Sequence, residues 1–319
     1  MTESSLAGSS APGPAAGAFT TWAAVAGTGP AGARAVAGQR NPGYIRAWLR
    51  FFRSELRLVF GRRRNQALLA VVAVFPVVIG MGLRLAIRPG NAGGPDGVAF
   101  IGQLAGNGIF LGFSALTLLL VLVMPLAVCV AAGDSIAGEA GYGTLRYLLA
   151  VPAGRVRILT VKYAVIVAFA LAVTFSVTAM ALATGAALFP IGPVTLLSGT
   201  TVPLAGGIIR LLFVALYVAT AMSSLGAIGM AISTLTEHAI GAIATLTVLV
   251  VTSEVADNVP QFAAIHPYLP TNWWNSFDAL LRVPIDTGTL LRGLLSFGMY
   301  LLLAGLIAWA RLTTADVTC

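Results

Sequence analysis

The sequence has little charge of either sign. Only 9% of its 319 residues are Asp, Glu, Lys or Arg, whereas a soluble domain carries about 25%. Hydrophobic residues make up 58% of the chain. This composition excludes a soluble globular enzyme with a large core. It is typical of an integral membrane protein built from helices, because a helix satisfies its own backbone groups where water is absent.

The residue types that catalytic and metal sites need are also scarce. The single lysine, Lys162, is not preceded by glycine, so no phosphate-binding loop ending in Gly-Lys-Ser/Thr can be drawn. The two histidines, His238 and His266, fall on opposite sides of the membrane in the span assignment below. The two cysteines, Cys129 and Cys319, suggest neither a disulfide framework nor a metal site. We therefore predict that this chain alone has no catalytic residues, binds no metal and holds no cofactor.

Long apolar runs are what the sequence does have. A run of about 20 residues spans about 30 Å of hydrocarbon as a helix, and we count six. Pro76 and Pro125 lie inside the first two, where neighbouring helices can satisfy the freed carbonyls, so we interpret both as kinks rather than helix ends. The six predicted spans are 66–87, 109–132, 157–184, 208–233, 238–256 and 289–311.

The basic residues are distributed unevenly between the loops. The net charge of +8 would suggest nucleic acid in a soluble protein, but Lys and Arg also hold loops on the cytoplasmic side of a membrane. With the N-terminus inside, 14 of the 19 basic residues fall on that side. We predict a multi-pass protein of the cell membrane with both termini in the cytoplasm and no nucleic-acid partner.

The N-terminal region divides into two parts. Residues 1–42 are rich in Ala, Gly, Ser and Pro and predict a disordered cytoplasmic tail. Residues 43–64 predict an amphipathic helix in the membrane interface, its arginines among lipid phosphates. Glu55 falls on the apolar face, where it either pairs with a nearby arginine or reaches water, or makes a polar contact with the helix bundle. The arginine stripe consists of Arg46, Arg50, Arg53 and Arg57.

The transmembrane domain, 65–312, carries two further features. A small-residue stripe on the fourth span allows close helix approach, within the bundle or at a dimer seam; it consists of Ala219, Ser223, Ala227 and Ala231. The segment 257–288 is long and aromatic, with Trp273, Trp274 and Phe277. Aromatic residues at this density are typical of the membrane interface, so we predict one or two short helices at, or dipping into, the outer leaflet.

The loop 133–157 gathers acids, bases and glycines in one short stretch. Gly138, Gly141 and Gly143 allow the chain to leave the second span at a sharp angle. Thr144 can cap a short helix whose leucines give it an apolar side. A rigid cytosolic helix of this kind could carry a push from a soluble partner into the bundle.

This loop resembles the signature of ABC-2 type permeases, the membrane subunits of bacterial ATP-binding-cassette exporters. The resemblance rests on Glu139, the run Gly143-Thr144-Leu145, Leu148-Leu149, Pro152, Arg155 and Lys162. The amphipathic helix, Gly229–Thr236 and parts of the 257–288 segment are also similar to that family. The resemblance covers about residues 43–312 and implies an all-α fold of the ABC-2 (type V exporter) kind: a six-helix transmembrane bundle preceded by an interfacial helix.

The resemblance also implies partners. Such permeases pair as homo- or heterodimers and are driven by two copies of a separate ATPase subunit, which binds ATP and Mg²⁺ and grips the helix after the second span. The substrate crosses along the dimer seam, usually outward. The residues placed at or beside the ATPase contact are Glu139, Gly143, Thr144, Leu145, Arg146, Leu149 and Arg155.

Two other classes of protein remain open at this stage. An ion-coupled carrier or channel would keep an ionisable group deep in the bundle, and Glu254 is the best such residue; a membrane-bound enzyme or scaffold would need a polar catalytic cluster. Mostly apolar spans indicate a hydrophobic or amphipathic cargo. The possible lining residues are Phe110, Phe113, Thr245 and Thr247.

Overall fold

The computed structural model describes residues 42–86, 107–141, 155–196 and 198–314. Contacts divide the chain into two units, Met1–Ala47 and Trp48–Cys319. The described residues of the first unit are the start of one helix, and the second unit holds the helical bundle. The predicted tail, 1–42, lies outside the described residues apart from Pro42.

Helix α1 (Pro42–Gly61) has nearly the bounds predicted for the amphipathic helix, 43–64. Its four stripe arginines are exposed, whereas Glu55 is buried. The helix ends where Asn65 and Gln66 donate side-chain hydrogen bonds to the carbonyls of Val59 and Phe60, each at 2.9 Å. These bonds satisfy carbonyls that have no partner within the last turn of a helix.

The remaining helices follow the predicted spans, with ends that differ by up to four residues. Five of them are long and apolar enough to cross a membrane, and a bent pair supplies a sixth span if it counts as one. The protein is therefore an all-α membrane protein in the part that the structure describes, apart from one short hairpin. The spans are α2 (Arg63–Ala86), the pair α3 (Phe110–Leu120) and α4 (Val123–Gly133), α6 (Arg155–Leu188), α7 (Leu204–Leu235), α8 (Ala239–Asp257) and α9 (Thr287–Thr314).

The second span is broken, which corrects the prediction of a kink at Pro125. Helices α3 and α4 meet at 54°, and Leu122 between them has φ −145° and ψ −47°, outside the helical region. Proline has no N–H to donate to the carbonyl four residues earlier, that of Val121, and its ring clashes with that carbonyl. Pro76, by contrast, lies inside the continuous α2, as predicted.

Helix α7 forms the centre of the bundle. In its most apolar stretch 67% of the residues are buried, against 17% in α2 and 22% in α8 and in α9. Its small-residue stripe is turned inward: Ala219, Ala227 and Ala231 are all buried. The stripe therefore serves packing within the bundle, which was one of the two predicted uses.

At the end of the bundle opposite α1, a short hairpin connects α6 to α7, and a glycine contact joins the start of α3 to α6. Strands β1 (Val194–Thr195) and β2 (Thr201–Val202) pair antiparallel. Gly108, just before α3, touches Gly185 on α6, and a Cβ on either would collide with the backbone carbonyl of the other. Asn107 donates hydrogen bonds to the carbonyls of residues 192 and 193, both at 2.8 Å.

The aromatic segment between α8 and α9 was predicted to form one or two short helices. It contains three short 3₁₀ helices, Pro260–Phe262, His266–Tyr268 and Trp274–Leu281. Trp274 and Phe277 are 1% exposed and belong to the core. These two side chains therefore face the core of the bundle, and the position of the segment at the outer leaflet stays a prediction. The 3₁₀ helix Trp274–Leu281 packs between α7 and α9.

Candidate functional site: a buried charge cluster

Charged side chains from four neighbouring elements meet at the end of the bundle where α1 joins α2. Four ion pairs between described residues lie there. The elements are α1, the start of α2, the turn and short helix that follow α4, and the second turn of α6. We call this group the charge cluster; its members are Glu55, Arg62, Arg64, Asp134, Glu139 and Lys162.

Lys162 is the centre of the cluster. Its Nζ lies 2.6 Å from Glu139 Oε1 and 3.5 Å from Glu55 Oε2, and its side chain is only 3% exposed. An unpaired ammonium at such a position costs several kcal/mol, so the two carboxylates are what make the buried charge tolerable. Glu139 lies on α5 (Ala137–Gly141), so Lys162 connects α1, α5 and α6.

Asp134 forms the second half of the cluster. It accepts hydrogen bonds from Arg62, at the junction between α1 and α2, and pairs with Arg64 Nη2 at 3.0 Å. A Cβ at Gly138 would lie 2.5 Å from Asp134 Oδ1. Gly138 therefore serves a close approach to this carboxylate. The sharp turn that we predicted at the glycines falls earlier, at residues 134–136, and Gly138 and Gly141 are helical.

Ser233, near the end of α7, fixes the start of α5. Its Oγ accepts the backbone N–H groups of Ile136 and Ala137 at 3.1 and 2.8 Å, and donates to the carbonyl of Gly133 at 2.8 Å. These bonds use one donor and two acceptor positions, the full capacity of a hydroxyl. The end of α4 and the start of α5 are thus bonded to α7 by one fully buried side chain.

The cavity inside the cluster is small. It is lined by Glu55, Arg62, Asp134, Glu139 and Lys162, among others, and measures about 20 Å³. A cavity needs about 10–15 Å³ to hold a water molecule, so this one has room for water and not for a substrate. The arrangement suits a mechanical connection between helices better than a binding pocket.

The structure places the predicted site residues as follows. Glu139 is in the cluster, and Glu55 makes a polar contact with the bundle, the second of its two predicted alternatives. Arg155 begins α6. The other predicted contact residues lie outside the described residues: Gly143, Thr144, Leu145, Arg146 and Leu149. The short helix predicted at Thr144 lies there too.

The predicted lining residues do not share one environment. Phe113 is 4% exposed and part of the core, whereas Thr245 is on the exposed side of α8. The hydroxyls of Thr245 and Thr247 each bond to a carbonyl of their own helix at 2.8 Å. Glu254 lies near the end of α8 and is partly exposed.

The sequence did not single out four residues of this site: Arg62, Arg64, Asp134 and Ser233. Arg62 was one of nine arginines before the first span, and Ser233 is an ordinary residue for a span end. A signal for Asp134 was present, because an acid directly after an apolar run needs a cation nearby. Nothing in the sequence states which of the many arginines supplies it.

The fold and the composition define a multi-span α-helical membrane protein. The chain belongs to the family described as "Protein of unknown function (DUF2705)", whose model matches residues 71–278. The match includes Asp134, Glu139 and Lys162 and leaves out α1. A comparison with the curated proteins finds no match.

Proposed function

We propose that this protein is the permease subunit of an ABC exporter of the ABC-2 type. One observation carries the proposal: Glu139 and Lys162, which stand at the two ends of the signature-like segment, meet at 2.6 Å in a buried site. Both ends of the segment 139–162 are therefore held at a single point of the bundle. A force applied to that segment would enter the bundle there.

The proposal assigns the energy source to another protein. Two copies of a cytoplasmic ATPase subunit bind ATP and Mg²⁺ and grip the segment that begins at Glu139, while this chain catalyses no reaction. A second permease subunit, identical or homologous, completes the path through the cell membrane. Both termini lie in the cytoplasm, and α1 lies in the interface among lipid headgroups. The cargo is hydrophobic or amphipathic, in keeping with the many large apolar side chains that the spans expose.

Co-purification tests the partner directly. The tagged full-length chain should retain a soluble ATPase from its own cell, and ATPase activity should elute with it. Leu145→Asp and Leu149→Asp should each abolish that retention, because a charge on the apolar side of the predicted contact helix would have to be desolvated on binding. Ile285→Asp is the matched control: Ile285 is 43% exposed, between the 3₁₀ segment and α9, and its substitution should leave retention unchanged.

The opposite results would overturn the proposal. If the Leu145→Asp and Leu149→Asp variants retained the ATPase as well as the wild type does, the predicted contact would be wrong. Transport by the purified chain in vesicles, driven by an ion gradient with no ATP, would instead favour an ion-coupled carrier. In that case Glu254→Gln should abolish transport.

A further inference from the structure

The charge cluster contains a connection that the proposed function does not assign. We propose that Lys162 is a positioning residue that joins α1 to α5, so that a displacement of α5 is passed to α1. Glu55 and Glu139 are 84 positions apart in sequence and lie on different helices, yet both approach the same ammonium group, at 3.5 and 2.6 Å. The mechanical role in export rests on the proposed function; the connection itself does not.

Burial makes the connection stiff. Glu55 is 9% exposed and Lys162 is 4% exposed, so water cannot readily replace either carboxylate as a partner of the ammonium. Removing one member of a buried ion pair leaves an uncompensated charge and is strongly destabilising. When α5 shifts, Lys162 therefore follows Glu139, and the Glu55 carboxylate of α1 follows Lys162.

In the part of α1 that the structure describes, packing against the hydrophobic core falls in the last turn. Val59 and Phe60 pack against the core, and the ring centroids of Phe60 and Phe169 are 5.8 Å apart. These contacts lie within the last turn of the helix. Glu55 is a full turn earlier, so its ion pair holds a part of α1 that these packing contacts do not reach.

The end of α5 near Ser233 provides the fixed point for this motion. The hydroxyl of Ser233 bonds the start of α5 to α7, the buried centre of the bundle. Glu139 lies beyond that point, toward the segment where the ATPase contact is proposed. A push on that segment would tilt α5 about Ser233 and displace Glu139 more than Ala137 at the start of the helix.

Hydrogen exchange of α1 in the purified full-length chain, in lipid nanodiscs and without any ATPase, tests the connection. Glu139→Gln changes no residue of α1, yet it should make the amides of residues 51–58 exchange at least about threefold faster, as should Glu55→Gln. The double variant should exchange no faster than the faster single variant, because both substitutions interrupt the same connection. Glu237→Gln, an exposed acid in the turn between α7 and α8, is the control and should leave α1 unchanged.

Substitution of the lysine separates positioning from simple packing. Lys162→Arg keeps the positive charge, so in that background Glu139→Gln should still speed the exchange of α1. Lys162→Met keeps the apolar stem and should abolish that response. An α1 that is indifferent to Glu139→Gln, or two single effects that multiply in the double variant, would overturn the proposal. Loss of ATPase retention in the separate co-purification experiment would leave this result standing.

Discussion

Single side chains at the α1 end of the bundle hold several backbone segments at once. The Ser233 hydroxyl makes three hydrogen bonds and is buried completely. The Lys162 ammonium contacts two carboxylates. Both side chains are buried, so few other groups could replace them as hydrogen-bond partners. The loss of one atom therefore leaves several groups without partners.

Ser233→Ala should destabilise the protein by about 1–3 kcal/mol, because two buried N–H groups would lose their acceptor. Reversible unfolding in mixed micelles measures the difference. Thr245→Ala removes a hydroxyl that bonds only within its own helix, on an exposed surface, and should change stability by less than about 0.5 kcal/mol. Equal stabilities of the two variants would show that Ser233 is dispensable for holding α5.

The partners in the charge cluster could not be predicted at the residue scale. Glu55 stood out because it is an acid on an apolar helix face, and this predicted a polar contact as one of two outcomes. Its partner, Lys162, is 107 residues away, and the pattern of one helix carries no information about which distant helix faces it. Ser233 could not be recognised at all, because serine near the end of a span usually bonds to its own helix.

At the scale of elements, helix ends follow local chemistry. Asp286 directly precedes α9, and its carboxylate accepts hydrogen bonds from the Thr289 hydroxyl at 2.6 Å and from the Thr289 N–H at 3.1 Å. This is the geometry of a helix N-cap. Hydrogen bonds from the hydroxyl and from the backbone of Thr289 hold the pKa of Asp286 below its usual value.

A lowered pKa makes the contribution of this cap depend on pH. A carboxyl group with a folded-state pKa below the unfolded value of about 3.9 stabilises the fold above that value, and loses its effect as the pH falls through the folded pKa. The melting temperature of Asp286→Ala should therefore lie below that of the wild type at pH 6. The difference should shrink below about pH 4. A difference that is constant from pH 6 to pH 3 would show that the carboxylate does not act as a cap.

Most elements could be predicted from the sequence, and the exceptions have physical reasons. Runs of about 20 apolar residues form helices in a membrane, because a helix satisfies its own backbone groups there. Five of the six predicted spans appear as continuous helices, and the bent pair α3–α4 occupies the place of the other. The break before Pro125 was not predicted, because Pro76 carries the same local signal and leaves its helix continuous. The burial of Trp274 and Phe277 was also not predicted, since aromatic side chains look alike in sequence whether they face lipid or a neighbouring helix.

At the scale of the whole molecule, the alternation of spans assigns every loop to one of two ends. The α1–α2 junction, α5, the start of α6 and the turn between α7 and α8 share one end, as the contacts of Asp134, Lys162 and Ser233 require. The distribution of arginine and lysine predicts that this end is cytoplasmic. That orientation remains a prediction.

Cysteine labelling in intact cells measures the orientation. In a background with both native cysteines replaced by alanine, Arg146→Cys should react only with a membrane-permeant maleimide. Ile285→Cys, which lies at the other end and is exposed, should react with an impermeant one. Labelling of Arg146→Cys by the impermeant reagent would show that the topology is the opposite of the predicted one. A cytoplasmic ATPase could then not reach its proposed contact.

The break in the second span has a consequence for which helices that span can contact. Between α3 and α4 the chain bends by 54°, and Pro125 supplies no N–H to bridge the interruption. The first half, α3, packs mainly against α6, whereas the second half, α4, packs mainly against α7 and α8. One run of apolar sequence therefore reaches two sets of neighbours that a straight helix could not contact together.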